Sequence, residues 1–247
     1  MDAFAGAFKK THILLRYPAG EKNSLYTANH DQRFGYHDDS FAWATLDTGK
    51  NEDAWYYMAA LKNSGSHAMS RWQTYAIGGE IRPELWSSIF TNNTHEKQQN
   101  FTECVRQTHT TWLMDTGLFT SSNPPTADRV SRATPAVRLM GYELHVSKAE
   151  LVDGNLSLTI ENRGVAPFYY DWPIEVRYSA PNIRTQSLFP EWKLSEIMLG
   201  ESTTWKVDLS TAVDLKVRMR IANPMPGGKP LRFANVEMNG LWLELNF

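Results

Sequence analysis

In the first half of the 247-residue chain, acidic side chains directly follow short apolar runs. Asp38 and Asp39 follow the run that begins at Arg33, and Glu80 follows residues 75–77 and two glycines. Two facing carboxyl groups can cleave a glycosidic bond, because one protonates the leaving oxygen while the other acts as nucleophile or base. The residue types therefore predict catalytic chemistry on a sugar, with Glu80 and Asp39 as the principal pair and Asp38 as a third candidate.

Other side chains near these carboxylates are of types that position a substrate. Imidazole groups form hydrogen bonds, indole rings stack on sugar rings, and a guanidinium binds oxygen atoms. The predicted substrate-binding residues are Arg33, His37, His109 and Trp112.

Each candidate also has a structural interpretation. The aspartates and Ser40 are favoured residues for capping a helix, and Glu80 can form an ion pair with Arg82 or Arg33. His109 is better suited to a core position in which its ring nitrogens are bonded, and Trp112 to core packing.

The elements that must position these residues are strands and helices in alternation. Apolar runs at residues 12–17, 33–37, 74–79 and 108–113 are separated by helix-like segments at 53–62 and 84–90. This alternation predicts βα units and a parallel sheet, in which the carboxyl ends of the strands meet on one side. We expect an α/β region over residues 1–125, a partial (β/α)8-type barrel of about four βα units.

The second half of the chain has an all-β pattern. Apolar and polar residues alternate over 156–160, 174–178, 205–209, 215–219 and 241–245, and turn signals separate these segments. This pattern predicts an antiparallel β-sandwich of about eight strands over residues 133–247. We place the boundary between the two regions at residues 118–136.

Composition and motifs exclude several classes of function. The net charge is −2 and neither half is basic, so we expect no nucleic-acid partner. No apolar run is long enough for a membrane span. Nucleotide-binding loops and zinc motifs are absent, so no cofactor and no metal are predicted. The single cysteine, Cys104, is interpreted as a small core residue.

Several short motifs occur in a distinctive order. They are Arg33-x-Gly35-x-His37-Asp38-Asp39-x-Phe41, Gly78-Gly79-Glu80, His109-Thr110-Thr111-Trp112-Leu113, Arg138-Leu139-Met140-Gly141-Tyr142, Asn162-Arg163-Gly164-Val165-Ala166-Pro167, Ile221-Ala222-Asn223 or Phe233-Ala234-Asn235, and Asn239-Gly240-Leu241. Over roughly residues 30–247, the chain resembles the family called domain of unknown function 4832. It departs from that family at Asp38, where the family usually has asparagine.

The resemblance implies the second half of a glycoside-hydrolase-like barrel followed by a β-sandwich. A complete barrel needs about 250 residues, and only about 120 precede the predicted sandwich. We therefore expect an upstream half-barrel or a second copy of the chain as a partner, and little enzymatic activity from this chain alone. We also expect an extracellular or cell-surface location, with any export signal outside this chain.

Together these observations predict a carbohydrate-active, glycoside-hydrolase-like protein whose site lies at the carboxyl ends of the strands. One alternative is a non-catalytic carbohydrate-binding or cell-surface module, in which the same surface binds sugar without cleaving it. Another is a purely structural module that supports a neighbouring domain. A structure in which Glu80 and Asp39 face each other would favour the enzyme. A structure in which ion pairs hold these carboxylates would favour the alternatives.

Overall fold

The computed structural model describes residues 2–9, 11–16, 34–49, 55–209 and 215–247. The chain forms two compact units, residues 1–141 and residues 142–247. The first unit extends past residue 125, where the sequence analysis placed its end, because an unexpected helix follows that position.

The first unit contains the predicted parallel sheet. Its strands are β1 (Ile13–Leu15), β2 (Phe34–Phe41), β3 (Ile77–Ile81) and β4 (Thr110–Met114), in the order β1-β2-β3-β4. Each neighbouring pair is parallel, which confirms the predicted βα architecture. Both β2 and β3 continue further than expected, so that Asp38, Asp39 and Glu80 lie within strands rather than after them.

The helices of the first unit differ in part from those predicted. They are α1 (Asp2–Ala7), α2 (Tyr57–Ser64), α3 (Ser66–Ser70), α4 (Phe101–Thr108) and α5 (Ala127–Arg138). Of the segment predicted as a helix at 53–62, the described part overlaps α2. The prediction of a helix over 84–90 is wrong, because this segment forms a 3₁₀ turn at Pro83–Leu85 followed by further turns.

The side chain of a polar residue caps the start of α4 and of α5, two of the helices that the sequence analysis did not predict. The Asn100 side chain accepts a hydrogen bond from the backbone N–H of Glu103 at the start of α4, and Thr126 does the same for Arg129 at the start of α5. Such caps satisfy amides that have no partner within the helix. They fix where both helices begin.

One face of the parallel sheet forms a hydrophobic core with helices. Tyr36 of β2 and Ile77 of β3 are buried against Tyr57 and Leu61 of α2, and Ala68 of α3 belongs to the same cluster. Cys104 lies on the buried side of α4, which agrees with its interpretation as a core residue. This core leaves the opposite face of the sheet for other side chains.

The second unit consists of antiparallel strands, as predicted. They are β5 (Leu144–Val152), β6 (Asn155–Asn162), β7 (Ile174–Ala180), β8 (Ile183–Leu188), β9 (Ser202–Asp208), β10 (Lys216–Ile221), β11 (Met238–Asn239) and β12 (Trp242–Leu245). One sheet has the order β11-β12-β10-β7-β8 and the other β5-β6-β9. Apolar residues of both sheets form one buried cluster, consistent with a β-sandwich.

Two asparagines from the motifs above form side-chain hydrogen bonds to the backbone of this unit. The Asn162 side chain accepts bonds from the backbone N–H groups of Glu143 and Gly164 and donates to the carbonyl of Ala166. Asn235 exchanges two hydrogen bonds with the backbone of Val146. Both residues therefore have a structural role. Over the described ranges, no helix combines the length and the apolar character needed to cross a membrane.

Candidate functional site

Alternation along β2 sends its two aspartates to opposite faces of the parallel sheet. Tyr36 and Asp38 are buried on the face that α2 and α3 cover, whereas His37 and Asp39 are partly exposed on the other face. Successive side chains of a regular strand point to opposite sides, and the burial of residues 36–40 alternates accordingly. Only Asp39 of the two aspartates can therefore share a surface with Glu80.

Strand register brings four predicted site residues onto that second face. His37 is aligned with Gly78 of β3, which is aligned with Trp112 of β4. Asp39 and Glu80 lie two residues further along their strands, at the carboxyl end of the sheet. We call this surface, with His37, Asp39, Glu80 and Trp112, the carboxylate face.

An irregularity in β2 lies at the position of Asp39. Asp38 is aligned with Gly79 and Phe41 with Ile81, so β2 has one residue more than β3 between these pairs. Such bulges alter the direction of side chains and are frequent beside active sites. Here the irregularity leaves Asp39 and Ser40 opposite Glu80 in the register, at the carboxyl end of the strands.

Gly78 makes room for Trp112 on the carboxylate face. A Cβ atom at Gly78 would overlap the indole of Trp112, so a side chain at this position would displace that ring. Across the glycine, the ring centroids of Trp112 and His37 are 5.5 Å apart. The glycine therefore allows residues of β2 and β4 to meet above β3.

The charged groups of the carboxylate face influence the imidazole of His37. Burial lowers the pKa of His37, and the nearby positive charge of Arg16 acts in the same direction, while Asp39 and Glu80 oppose them. The net effect holds the pKa below its usual range, so the ring is neutral at pH 7. A neutral imidazole can both donate and accept hydrogen bonds to a hydroxylated ligand.

Asp39 forms an ion pair at the edge of the carboxylate face. The Nη2 atom of Arg16 lies 2.5 Å from Asp39 Oδ2, and the side chain of Arg16 is 70% exposed. The second oxygen, Oδ1, is buried and has no hydrogen-bond partner among the described residues. An exposed ion pair contributes about 0–1 kcal/mol, so a ligand can displace the arginine from the carboxylate.

Asp38 does not belong to the carboxylate face, which corrects its assignment as a catalytic candidate beside Glu80. Its carboxylate is fully buried and accepts bonds from the Ser40 amide (2.9 Å) and the Thr45 hydroxyl (2.6 Å). Burial raises the pKa of Asp38 to about 6, although both bonds act against this. The residue holds the turn after β2 in place.

His109 lies at the wrong end of the sheet for the predicted site. It ends α4 in the left-handed conformation (φ 56°) and precedes β4, whose carboxyl end is at Met114. Its ring stacks on Trp72 at 3.7 Å, at the amino end of β3. The prediction that His109 positions a substrate beside Glu80 is therefore wrong. The remaining candidate, Arg33, lies outside the described residues.

A cavity of about 570 Å³ lies among the loops that follow β2 and precede α4. Trp43 and Tyr56 supply aromatic rings to its wall, and Glu96 and Lys97 supply charges of opposite sign. The ring centroid of Trp43 lies 5.1 Å from that of His95 and 5.4 Å from the guanidinium carbon of Arg82. The sequence analysis missed this cavity, although Trp43 follows a parallel strand by two residues, as active-site residues of βα proteins often do.

Comparison with known proteins gives no relative for this chain. No family model, no curated protein and no solved structure matches it. The resemblance noted from the motifs therefore stays a prediction, and the function must be argued from the site itself.

Proposed function

We propose that the carboxylate face is a carbohydrate site of the glycoside-hydrolase type. The observation that carries this proposal is the presence of Asp39, Glu80, His37 and Trp112 on one face at the carboxyl end of a parallel sheet. Catalytic groups of βα proteins occupy this end. Two carboxylates with an aromatic ring beside them are the groups that sugar hydrolysis requires.

The environments of the two carboxylates suggest different roles. Asp39 has a guanidinium partner in Arg16, which suits a group that acts in its charged form. We assign Glu80 as the acid that donates a proton to the glycosidic oxygen as the bond from that oxygen to the sugar carbon breaks. Asp39 then attacks the sugar carbon, or removes a proton from the water that does so.

The remaining side chains would hold the sugar. The neutral imidazole of His37 is suited to bonding a hydroxyl group, and the indole of Trp112 offers a ring for stacking. The cavity beside Trp43, at the same end of the sheet, is of a size that accommodates a small ligand. It would receive the part of the substrate that is not cleaved.

The ion pair between Arg16 and Asp39 favours a second candidate function. If Arg16 keeps Asp39 occupied, the same face binds a sugar through Glu80, His37 and Trp112 without cleaving it. This is the non-catalytic carbohydrate-binding function predicted as an alternative. The exposure of Arg16 is our reason for preferring the hydrolase.

The edges of the parallel sheet are the sites proposed for a partner. β1 and β4 are the outermost strands of the four, and an edge strand offers free backbone groups for pairing. Strands from an upstream half-barrel or a second copy of the chain would extend the carboxylate face from these edges. Activity would then depend on that partner.

The test is the Glu80→Gln variant, assayed on a panel of aryl glycosides with and without the candidate partner. We expect hydrolysis to fall at least about a hundredfold, the scale of a lost general acid, with the thermal unfolding midpoint unchanged. Glu103→Gln, an equivalent substitution on α4, is the control.

The outcomes separate the two candidate functions. Sugar binding without hydrolysis in the unmodified protein, weakened by Trp112→Ala, would select the binding module. Neither hydrolysis nor binding in the presence of the partner would overturn the proposal. Unchanged hydrolysis in Glu80→Gln would remove Glu80 from the mechanism.

A further inference from the structure

Three arginines surround one tryptophan on the polar face of the five-stranded sheet. The guanidinium carbons of Arg177, Arg218 and Arg220 lie 4.5, 4.7 and 4.5 Å from the ring centroid of Trp242. No two of these carbons can therefore be more than about 9 Å apart. We call these four residues the arginine cluster.

A buried glutamate forms ion pairs with two of the three arginines. Glu175 is only 3% exposed. Its Oε1 accepts a bond from Arg177 at 2.6 Å and its Oε2 accepts one from the Nε of Arg220 at 2.8 Å. Ser187 donates a third bond to Oε1 at 2.8 Å. The carboxylate of Glu175 is therefore fully engaged inside the cluster.

Arg218 has no comparable partner. Glu244 stands opposite it in the strand register, but no ion pair joins the two, and the described residues provide no other carboxylate bonded to Arg218. Lys216 lies two residues earlier on the same face of β10 and is exposed. The cluster thus presents uncompensated positive charge at the surface of the sheet.

Crowded like charges favour an anionic ligand. Each guanidinium offers several N–H donors in a plane that matches the two oxygens of a carboxylate. The tryptophan ring holds these groups close together through cation–π contacts, so the donors are already ordered before a ligand arrives. Such preorganisation reduces the entropy lost on binding.

We propose that the arginine cluster binds the carboxylate groups of an acidic polysaccharide, one composed of uronic acids. The choice of a polysaccharide rests on the proposed function, whereas the choice of an anion rests on the cluster alone. A nucleic acid is a poorer match, because its phosphates need an extended basic surface, and the chain carries a net charge of −2. The cluster is confined to the surroundings of one indole ring.

The experiment measures binding of oligogalacturonate to the full chain by isothermal titration calorimetry. The methyl ester of the same oligosaccharide, which lacks the charge, serves as the matched ligand. Arg218→Gln is the test variant, because it leaves the partners of Glu175 in place and the sheet intact. Lys206→Gln, on an exposed position of β9 in the other sheet, removes the same charge and is the control.

We expect the unmodified protein and Lys206→Gln to bind the acid equally and the ester not at all. Arg218→Gln should weaken binding about tenfold, the effect of one charge-assisted hydrogen bond, and binding should weaken as salt screens the charges. Equal affinity of the two variants would show that the cluster only stabilises the sheet, and would overturn the proposal.

Two further arms separate this proposal from its alternatives. Equally tight binding of oligothymidylate or of polyglutamate would overturn the assignment to a polysaccharide. Titration of Glu80→Gln separates the proposal from the proposed function, since calorimetric binding does not require hydrolysis. If the protein binds oligogalacturonate through Arg218 but hydrolyses no glycoside, the cluster proposal stands and the proposed function fails. If it hydrolyses glycosides but does not bind oligogalacturonate through Arg218, only the proposed function stands.

Discussion

Asp38 and Asp39 have the same side chain and adjacent positions, yet the sheet gives them different chemistry. Asp38 is enclosed with Thr45 and Ser40, whereas Asp39 meets Arg16 at the surface. The difference follows from strand alternation together with the irregularity of β2 at Asp39. A pair of neighbouring carboxylates on a strand is therefore one surface group and one structural group.

The buried carboxyl should make stability depend on pH. The pKa of Asp38 is about 6 in the folded protein, above its ordinary value of 3.8, so its stabilising contribution is complete below about pH 4 and is lost as the pH rises through 6. Asp38→Asn does not titrate. We expect the variant to gain about 2–3 kcal/mol in unfolding free energy relative to the unmodified protein between pH 4 and pH 7.

Urea unfolding at several pH values measures this gain. Because only the change with pH is compared, a constant effect of the amide on hydrogen bonding cancels. Asp128→Asn, which removes an exposed aspartate from α5, controls for the change in net charge. Parallel curves for the unmodified protein and Asp38→Asn would contradict the prediction.

Sequence alone identified the residue types of the carboxylate face but misplaced His109. Asp39, Glu80 and Trp112 were found because apolar runs precede or surround them. The ring of His109 is at the opposite end because α4 ends there in a left-handed turn, a conformation usually signalled by glycine or asparagine. Nothing in the sequence marks a histidine that takes this role.

Among the elements, β3 shows how a residue without a side chain leaves space for the side chain of a neighbouring strand. Gly78 lies beneath the indole of Trp112, and β2 and β4 flank it on either side. A side chain at Gly78 would separate the tryptophan from His37. The carboxylate face thus depends on a position that contributes no functional group.

We expect Gly78→Ala to lower the unfolding free energy by about 1–3 kcal/mol, the usual effect of overpacking, and to weaken sugar binding at the carboxylate face. Trp112→Ala removes the indole ring that a side chain at position 78 would overlap. The double variant Gly78→Ala/Trp112→Ala should therefore lose less unfolding free energy than the sum of the losses in the two single variants. A double-mutant cycle measured by denaturant unfolding would show this difference. Strictly additive effects would mean that the two side chains do not compete for space.

The sequence predicted strands more accurately than helices. Period-two alternation identified segments such as 156–160 and 215–219 because one face of each strand is buried. By contrast, α5 contains Pro135, which normally disfavours a helix interior, and most of its surface is exposed. Its helical structure depends on the Thr126 cap and on tertiary contacts that short-range patterns do not reveal.

At the scale of the whole molecule, each unit has a buried apolar cluster of its own among the described residues. The core cluster of the second unit is composed only of residues from that unit. The helix-covered cluster at the parallel sheet is composed only of residues of the first. Units that each have such a cluster can respond differently to denaturant or heat.

The single thiol is buried in the first unit. Burial raises the pKa of Cys104 to about 12, so at pH 8 the sulfhydryl is both protonated and shielded from reagents. We expect an aromatic disulfide reagent to react at least about a thousandfold more slowly with the native protein than with the protein in denaturant. Rapid reaction of the native protein would contradict the burial of this group.

Cys104 is consequently a natural probe for the opening of the first unit. Its rate of labelling reports how often the first unit opens, while tryptophan fluorescence reports on both units, because the nine indoles are divided between them. Recording both signals along one denaturation series would reveal whether the two halves open together or in succession. No introduced label is needed, because the sequence contains no other cysteine.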